Sequence, residues 1–144
     1  MLSSLLPADH VEKLMYMKAE VTSLVDYGPT SFGIRFDVGF EGRLSGETIN
    51  GKMQGIDYFL MQPDGVGHID VRAAIYTDDG AKIAVSITGY MIGPEIKDSF
   101  VLFETGDERY KWLCNATVVG KGQNIPVEGG GLPKEFEVVY YLIR

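Results

Sequence analysis

The chain is poor in the residues that anchor redox and metal chemistry. Among 144 residues there is one cysteine, Cys114, two histidines, His10 and His68, and one tryptophan, Trp112. A single cysteine excludes an intrachain disulfide framework and fits a reducing compartment. Cys114 has no basic neighbour in sequence and is expected to be a buried structural thiol. His68 and Asp70 can share one strand face, but carboxylates would have to complete a metal shell, so no metal is expected. There is no run of Lys or Arg, and the formal net charge is −7. Both facts disfavour nucleic acid and anionic membranes as partners.

No apolar stretch approaches the roughly 18 residues of a membrane span. Met1 to Pro7 lacks the basic start and long apolar body of a secretory leader. The expectation is a cytoplasmic protein. Gly129-Gly130-Gly131 lacks the Lys and Ser/Thr of a phosphate loop, and no Gly-x-Ser-x-Gly elbow occurs. No cofactor is expected.

What the chain does have is glycine, 18 residues of it, scattered between short apolar runs. That pattern suits frequent tight turns. The length fits one domain, residues 1–144. Pro7 to Leu14 is predicted as a helical turn. Lys13 to Val25 is predicted as a strand, from the shared parity of Met15, Met17, Ala19, Val21 and Val25 and its β-branched residues. Tyr27-Gly28-Pro29 reads as a turn and Phe32 to Phe40 as a strand. The glycines from Gly39 to Gly55 leave either a bulged strand or two short ones.

Asp57 to Gln62, Gly67 to Tyr76 and Ala81 to Met91 form three strands. They are joined by Pro63-Asp64-Gly65 and Thr77-Asp78-Asp79-Gly80, which makes an antiparallel meander. Ser99 to Glu104, Asn115 to Gly120 and Glu135 to Ile143 are further strands. Thr105 and Glu108 are spaced as a capping box for a short helix over Arg109 to Leu113. The count of strands predicts an all-β fold, a closed or nearly closed antiparallel barrel or a sandwich, with one or two short helices. Closure is favoured because it removes exposed strand edges.

Several stretches resemble the DUF3237 family, also called UPF0311. They are Gly55-Ile56-Asp57-Tyr58, Gln62-Pro63-Asp64-Gly65-Val66, Ile69-Asp70-Val71-Arg72 and Thr77-Asp78-Asp79-Gly80-Ala81. Phe103 to Leu113 is similar to a second signature of that family. The resemblance implies a barrel of lipocalin-like or allene-oxide-cyclase-like shape. It also implies a small-molecule binder or cofactor-free enzyme of no single established activity. The family's pattern has two adjacent glycines before the Asp and a Trp after it. Here Gln54-Gly55-Ile56 precedes Asp57 and Tyr58 follows, which implies a pocket of different size and polarity near Tyr58.

From Gly67 to Tyr76 one face carries His68, Asp70, Arg72 and Tyr76, and the other carries Ile69, Val71, Ala73 and Ile75. The plainer reading puts the polar face in water, where an Asp–Arg pair stabilises little. The functional reading, favoured by the resemblance at Asp70 and Arg72, turns it into the barrel. Asp57, Asp70, Arg72 and Tyr76 are then the catalytic candidates. Asp57 is either a general base with its pKa raised by burial or a cap on a backbone bend, placed across from Tyr76. Arg35, Tyr58, His68, Glu104 and Trp112 are the substrate-contact candidates. Arg43 is expected to be solvated. Glu104 is expected to pair with Arg109 or face the cavity, and Trp112 to plug a barrel end.

Three functions compete: acid–base catalysis on a small, partly apolar substrate, ligand binding without chemistry, and an oligomeric structural module with a filled barrel. The first would proceed by isomerisation, hydration or elimination. A homo-oligomer is compatible with each.

Overall fold

The computed structural model describes residues 10–144. Eight antiparallel strands follow one another round a closed barrel. They are β1 (Val11–Thr30), β2 (Gly33–Ser45), β3 (Gly51–Met61), β4 (Val66–Thr77), β5 (Lys82–Ile92), β6 (Glu95–Glu104), β7 (Thr117–Ile125) and β8 (Glu135–Ile143). β8 pairs back onto β1 from Val11 to Glu20 and closes the wall, while the rest of β1 pairs with β2 alone. Among the described residues, helical backbone is confined to His10 and a short 3-10 turn, Lys111–Asn115.

The expected helical turn at Pro7 to Leu14 is not borne out over Val11 to Leu14, which belong to β1; its first residues lie outside those described. Tyr27-Gly28-Pro29 is not a chain reversal. The register of β1 against β2 shifts between Asp26 and Pro29, and Asp26 Oδ1 accepts the Gly28 N–H. The stretch is a bulge inside a long bent strand, and the reversal comes later, at Ser31 and Phe32. The glycine-rich stretch resolves into two long strands, β2 and β3, either side of a loop at residues 46–50.

The meander is as the turn residues dictate. Both of its turns are built alike. Gly65 N–H donates to Gln62 C=O and Gln62 N–H to Val66 C=O; Gly80 N–H donates to Thr77 C=O and Thr77 N–H to Ala81 C=O. Each turn needs a left-handed residue, supplied by Gly65 (φ +86°) and Gly80 (φ +93°).

Alternating side chains give the barrel an apolar inside. At one end that interior is filled, by Leu44, Ile49, Met53, Ile75, Ile83 and Leu113, all essentially without exposed surface. The connection after β6 closes this end. Thr105 does not cap its helix through Glu108. Its hydroxyl donates to Lys82 C=O, and Asp107 instead accepts the Arg109 N–H. Leu113 and Tyr110 plug the end, and Tyr110 is fixed by its hydroxyl donating to Asp79 at 2.7 Å. Trp112 is not the plug; it stands outside, 40% exposed. Cys114 is exposed rather than buried. Arg43 pairs with Asp78 on the surface, and Arg109 with Asp107 and Asp79 rather than with Glu104.

A candidate ligand cavity with one buried carboxyl

Toward the other end the barrel is hollow. A cavity of about 580 Å³ is bounded by inward residues of the strands and, at its mouth, by Leu24, Gly93, Pro94, Pro126, Leu132 and Pro133. This volume suits a small organic ligand. Four phenylalanines (Phe36, Phe40, Phe59, Phe136) and three methionines (Met17, Met61, Met91) dominate its wall. No Lys, Arg, His or Glu lines it, and Asp57 is its one charged residue. Of the other polar groups, Ser99 donates to Gly120 C=O at 3.1 Å. Asn124 lies against the Met91 sulfur at 3.4 Å. Tyr140 completes the set.

Asp57 arrives there by parity. On β3 the inward row is Met53, Gly55, Asp57, Phe59 and Met61, which places one carboxyl in an otherwise apolar series. The β3–β4 ladder runs from Gly51 against Thr77 to Asp57 against Val71, and resumes at Leu60 against His68. Asp57 is therefore opposite Val71, not near Tyr76 as expected, because the short Gln62–Val66 turn fixes the register. In the interval the backbone pairing opens. The Asp70 N–H donates to Asp57 Oδ1 at 2.9 Å. The Tyr58 carbonyl accepts from Arg35 Nη1 on the outer surface at 2.8 Å. One side chain thus replaces a rung of the wall.

Burial pushes the Asp57 carboxyl up to about 7. The Asp70 N–H bond opposes the rise, the nearby Asp70 carboxylate adds to it, and the Arg35 charge opposes it weakly. Desolvation dominates because a carboxylate in apolar surroundings loses its hydration and finds only one donor to replace it. Asp57 bonds a backbone amide and also lines the cavity with its carboxyl.

The rest of the expected site lies elsewhere. Ile69, Val71 and Ile75 point inward and Asp70, Arg72 and Tyr76 point into water. The functional orientation of that face is overturned, since apolar burial selects the parity and a strand cannot bury both faces against one cavity. Asp70 bonds Asp57 only through its backbone N–H, and its side-chain carboxylate acts on Asp57 through its charge. Arg35, Tyr58 and Glu104 are also on the outer surface. His68 is half-buried edge-on against Tyr90, ring centroids 4.9 Å apart. Trp112 borders a shallow polar groove with Glu12, Glu47 and Arg144 at the filled end. Among the described residues no three His, Cys, Asp or Glu side chains gather as a metal site. Because Tyr58 faces outward, the departure from the family pattern there does not reshape the cavity.

Comparison with known sequences places this barrel. A family model described as a protein of unknown function, DUF3237, matches residues 10–101. The chain belongs to the DUF3237 family. A UPF0311 protein of Clostridium acetobutylicum is 33% identical over 104 residues, covering 59% of this chain and 66% of that relative. A crystal structure of a protein of unknown function from the same organism superposes with a TM-score of 0.79 at 27% identity, covering 93% of this chain and 99% of the other. A Penicillium herquei protein described as an enzyme shares the fold, with a TM-score of 0.71 at 23% identity over 93% of each chain. The solved structures compared share this chain's fold, and the DUF3237 description assigns no activity.

The sequence singled out Asp57 but missed Tyr140, Ser99 and the Phe and Met wall. Their signal was parity. Val138, Tyr140 and Leu142 share the inward row of β8, as Ser99 does with Val101 and Phe103 on β6.

Proposed function

We propose that the barrel takes up a small, largely apolar organic molecule and that Asp57 moves a proton on it. The chemistry is of the isomerase, hydratase or lyase type. The observation that supports this reading is the single carboxyl, titrating near 7, in an apolar cavity of about 580 Å³. A general acid–base group is most effective when its pKa lies near the working pH, and exclusion of water strengthens its action on a bound substrate. The fold neighbour from Penicillium herquei described as an enzyme is consistent with chemistry in such a barrel. The side chains of Asp70, Arg72 and Tyr76 face water and do not touch the ligand.

Binding is tested with N-phenyl-1-naphthylamine, an uncharged fluorophore. The wild-type barrel takes up one equivalent saturably, and Val71→Trp, which fills the cavity, abolishes uptake. Uptake that is unsaturable or indifferent to that substitution refutes the reading. Burying a carboxylate is costlier than burying the acid, so affinity falls as the pH rises through 7, and Asp57→Asn levels the profile. Proton transfer is followed by NMR, as deuterium washing into the methyl group of 2-acetonaphthone in D2O.

The alternative, a binding protein without chemistry, draws on the wall's composition, since seven Phe and Met side chains adapt to many apolar shapes. It is favoured if the ketone binds and is recovered unexchanged.

A further inference from the structure

A second polar group shares the floor of the cavity with Asp57, and no hydrogen bond accounts for it. On β3 the cavity-lining residues are Asp57, Phe59 and Met61, while Met53 belongs to the filled end. On β8 they are Phe136, Val138 and Tyr140, while Leu142 belongs to the filled end. Asp57 and Tyr140 are therefore each the deepest lining residue of its strand. Tyr140 is 2% exposed. Burial alone pushes its hydroxyl well above the ordinary tyrosine value, with no hydrogen bond or neighbouring charge contributing. No hydrogen bond to its hydroxyl occurs among the described residues, and no side-chain oxygen there is both buried and without a partner, so the Tyr140 oxygen opens onto the cavity that the residue lines. It stays protonated across the physiological range and is available as a donor.

The ring is held in place from behind. Tyr140 is opposite Gly120 in the ladder, and Gly120 is opposite Ser99. A Cβ at position 120 would lie 2.5 Å from Ser99 Oγ and 3.0 Å from a Tyr140 ring carbon. The small residue there lets the ring lie against the wall. Ser99 is tied to the Gly120 carbonyl, which leaves the phenol as the uncommitted donor at this depth.

We propose that Tyr140 is the ligand's second polar contact, donating to a carbonyl oxygen, and that the substrate is an uncharged ketone with a removable proton beside that carbonyl. The proposal rests on the reading of Asp57 as the proton-transfer group. In the step itself the Asp57 carboxylate takes the proton from the carbon next to the carbonyl. The C–H electron pair moves into a carbon–carbon double bond, and the carbonyl π pair moves onto oxygen. The enolate oxygen is held by the Tyr140 O–H, a donor placed where negative charge develops. Return of the proton from Asp57 to the enolate oxygen gives the enol, an isomer of the ketone, with no other reactant; return to the carbon it left regenerates the ketone and registers as hydrogen exchange. Anionic substrates are selected against, because the wall has no cation and the floor already carries a carboxyl.

The test compares 2-acetonaphthone with 2-ethylnaphthalene and 2-naphthoate, each titrated into wild type and Tyr140→Phe. The ketone loses about three- to tenfold in affinity in the variant, the range of one neutral hydrogen bond. The hydrocarbon binds both proteins alike, and the naphthoate binds the wild type more weakly than the ketone. The melting temperature of Tyr140→Phe is no lower than that of the wild type, since the hydroxyl serves no internal bond; a merely structural tyrosine would lower it. Unchanged ketone affinity, or an equal loss for ketone and hydrocarbon, overturns the role of Tyr140. If that happens while Asp57→Asn still abolishes deuterium exchange, the Asp57 reading survives alone. If none of the three probes binds the wild type, both readings fall together.

Discussion

Replacing Asp57 by Asn removes the titration and keeps the shape. The Asn side-chain oxygen can still accept the Asp70 N–H that the carboxylate accepts at 2.9 Å. The carboxyl titrates at about 7 in the fold, against 3.8 for a free aspartate. In the unfolded chain it ionises near pH 4, and in the native barrel only near 7. Between those limits the native state holds a proton that the unfolded state has released, so stability falls as the pH rises from about 4 to about 7 and levels off above. At about 1.4 kcal/mol per pH unit, the ionised carboxylate costs the barrel up to about 4 kcal/mol. Urea denaturation of wild type and Asp57→Asn at pH 4, 5.5, 7 and 8.5 reads this directly. The two proteins differ least at pH 4, and the variant gains steadily to pH 8.5, by a difference equivalent to roughly 10 °C in melting temperature. Titrating groups that do not sense the Asp57 charge cancel in the comparison. A difference between the two proteins that is flat across pH 4 to 8.5, or a variant less stable than wild type at pH 8.5, refutes the burial argument and with it the tuned acid–base group.

Asp70→Ala and Arg72→Ala leave stability within about 0.5 kcal/mol and probe affinity unchanged, because both side chains lie in water; a tenfold loss of affinity in either would restore the inward-facing reading. Leu113→Ala opens the filled end and costs about 2–5 kcal/mol in urea denaturation; a smaller loss would show that the 3-10 turn is not the plug. Gly120→Ala drives a methyl group against Ser99 and the Tyr140 ring, costing about 1–3 kcal/mol and weakening ketone binding more than hydrocarbon binding in the same titrations.

Much of the architecture was legible because it depends on local signals. The Asp-Gly turns at 64–65 and 79–80 fix the meander, and the last strand, Glu135 to Ile143, matches its observed span. What misled was the weight given to a cluster of ionisable residues. Asp70, Arg72 and Tyr76 share a face, but the opposite face, Ile69, Val71 and Ile75, has more to gain from leaving water. The cavity and the polar face turned out to be independent, since an outward polar face accompanies a hollow interior rather than a filled one. Tyr27-Gly28-Pro29 misled in another way. A bulge and a turn use the same residues, and only pairing with β2 distinguishes them. Asp57 was found because a carboxylate is conspicuous, but its depth followed from register, which the turn at Gln62–Val66 sets.

The gap in the β3–β4 ladder ties the interior of the barrel to its exterior. At this seam the Asp70 amide bonds a group that gains and loses a proton, where elsewhere a peptide carbonyl would hold it permanently. Its resonance frequency and solvent-exchange rate will track events inside the chamber, so one backbone nucleus, with no label attached, serves as a gauge of occupancy and protonation.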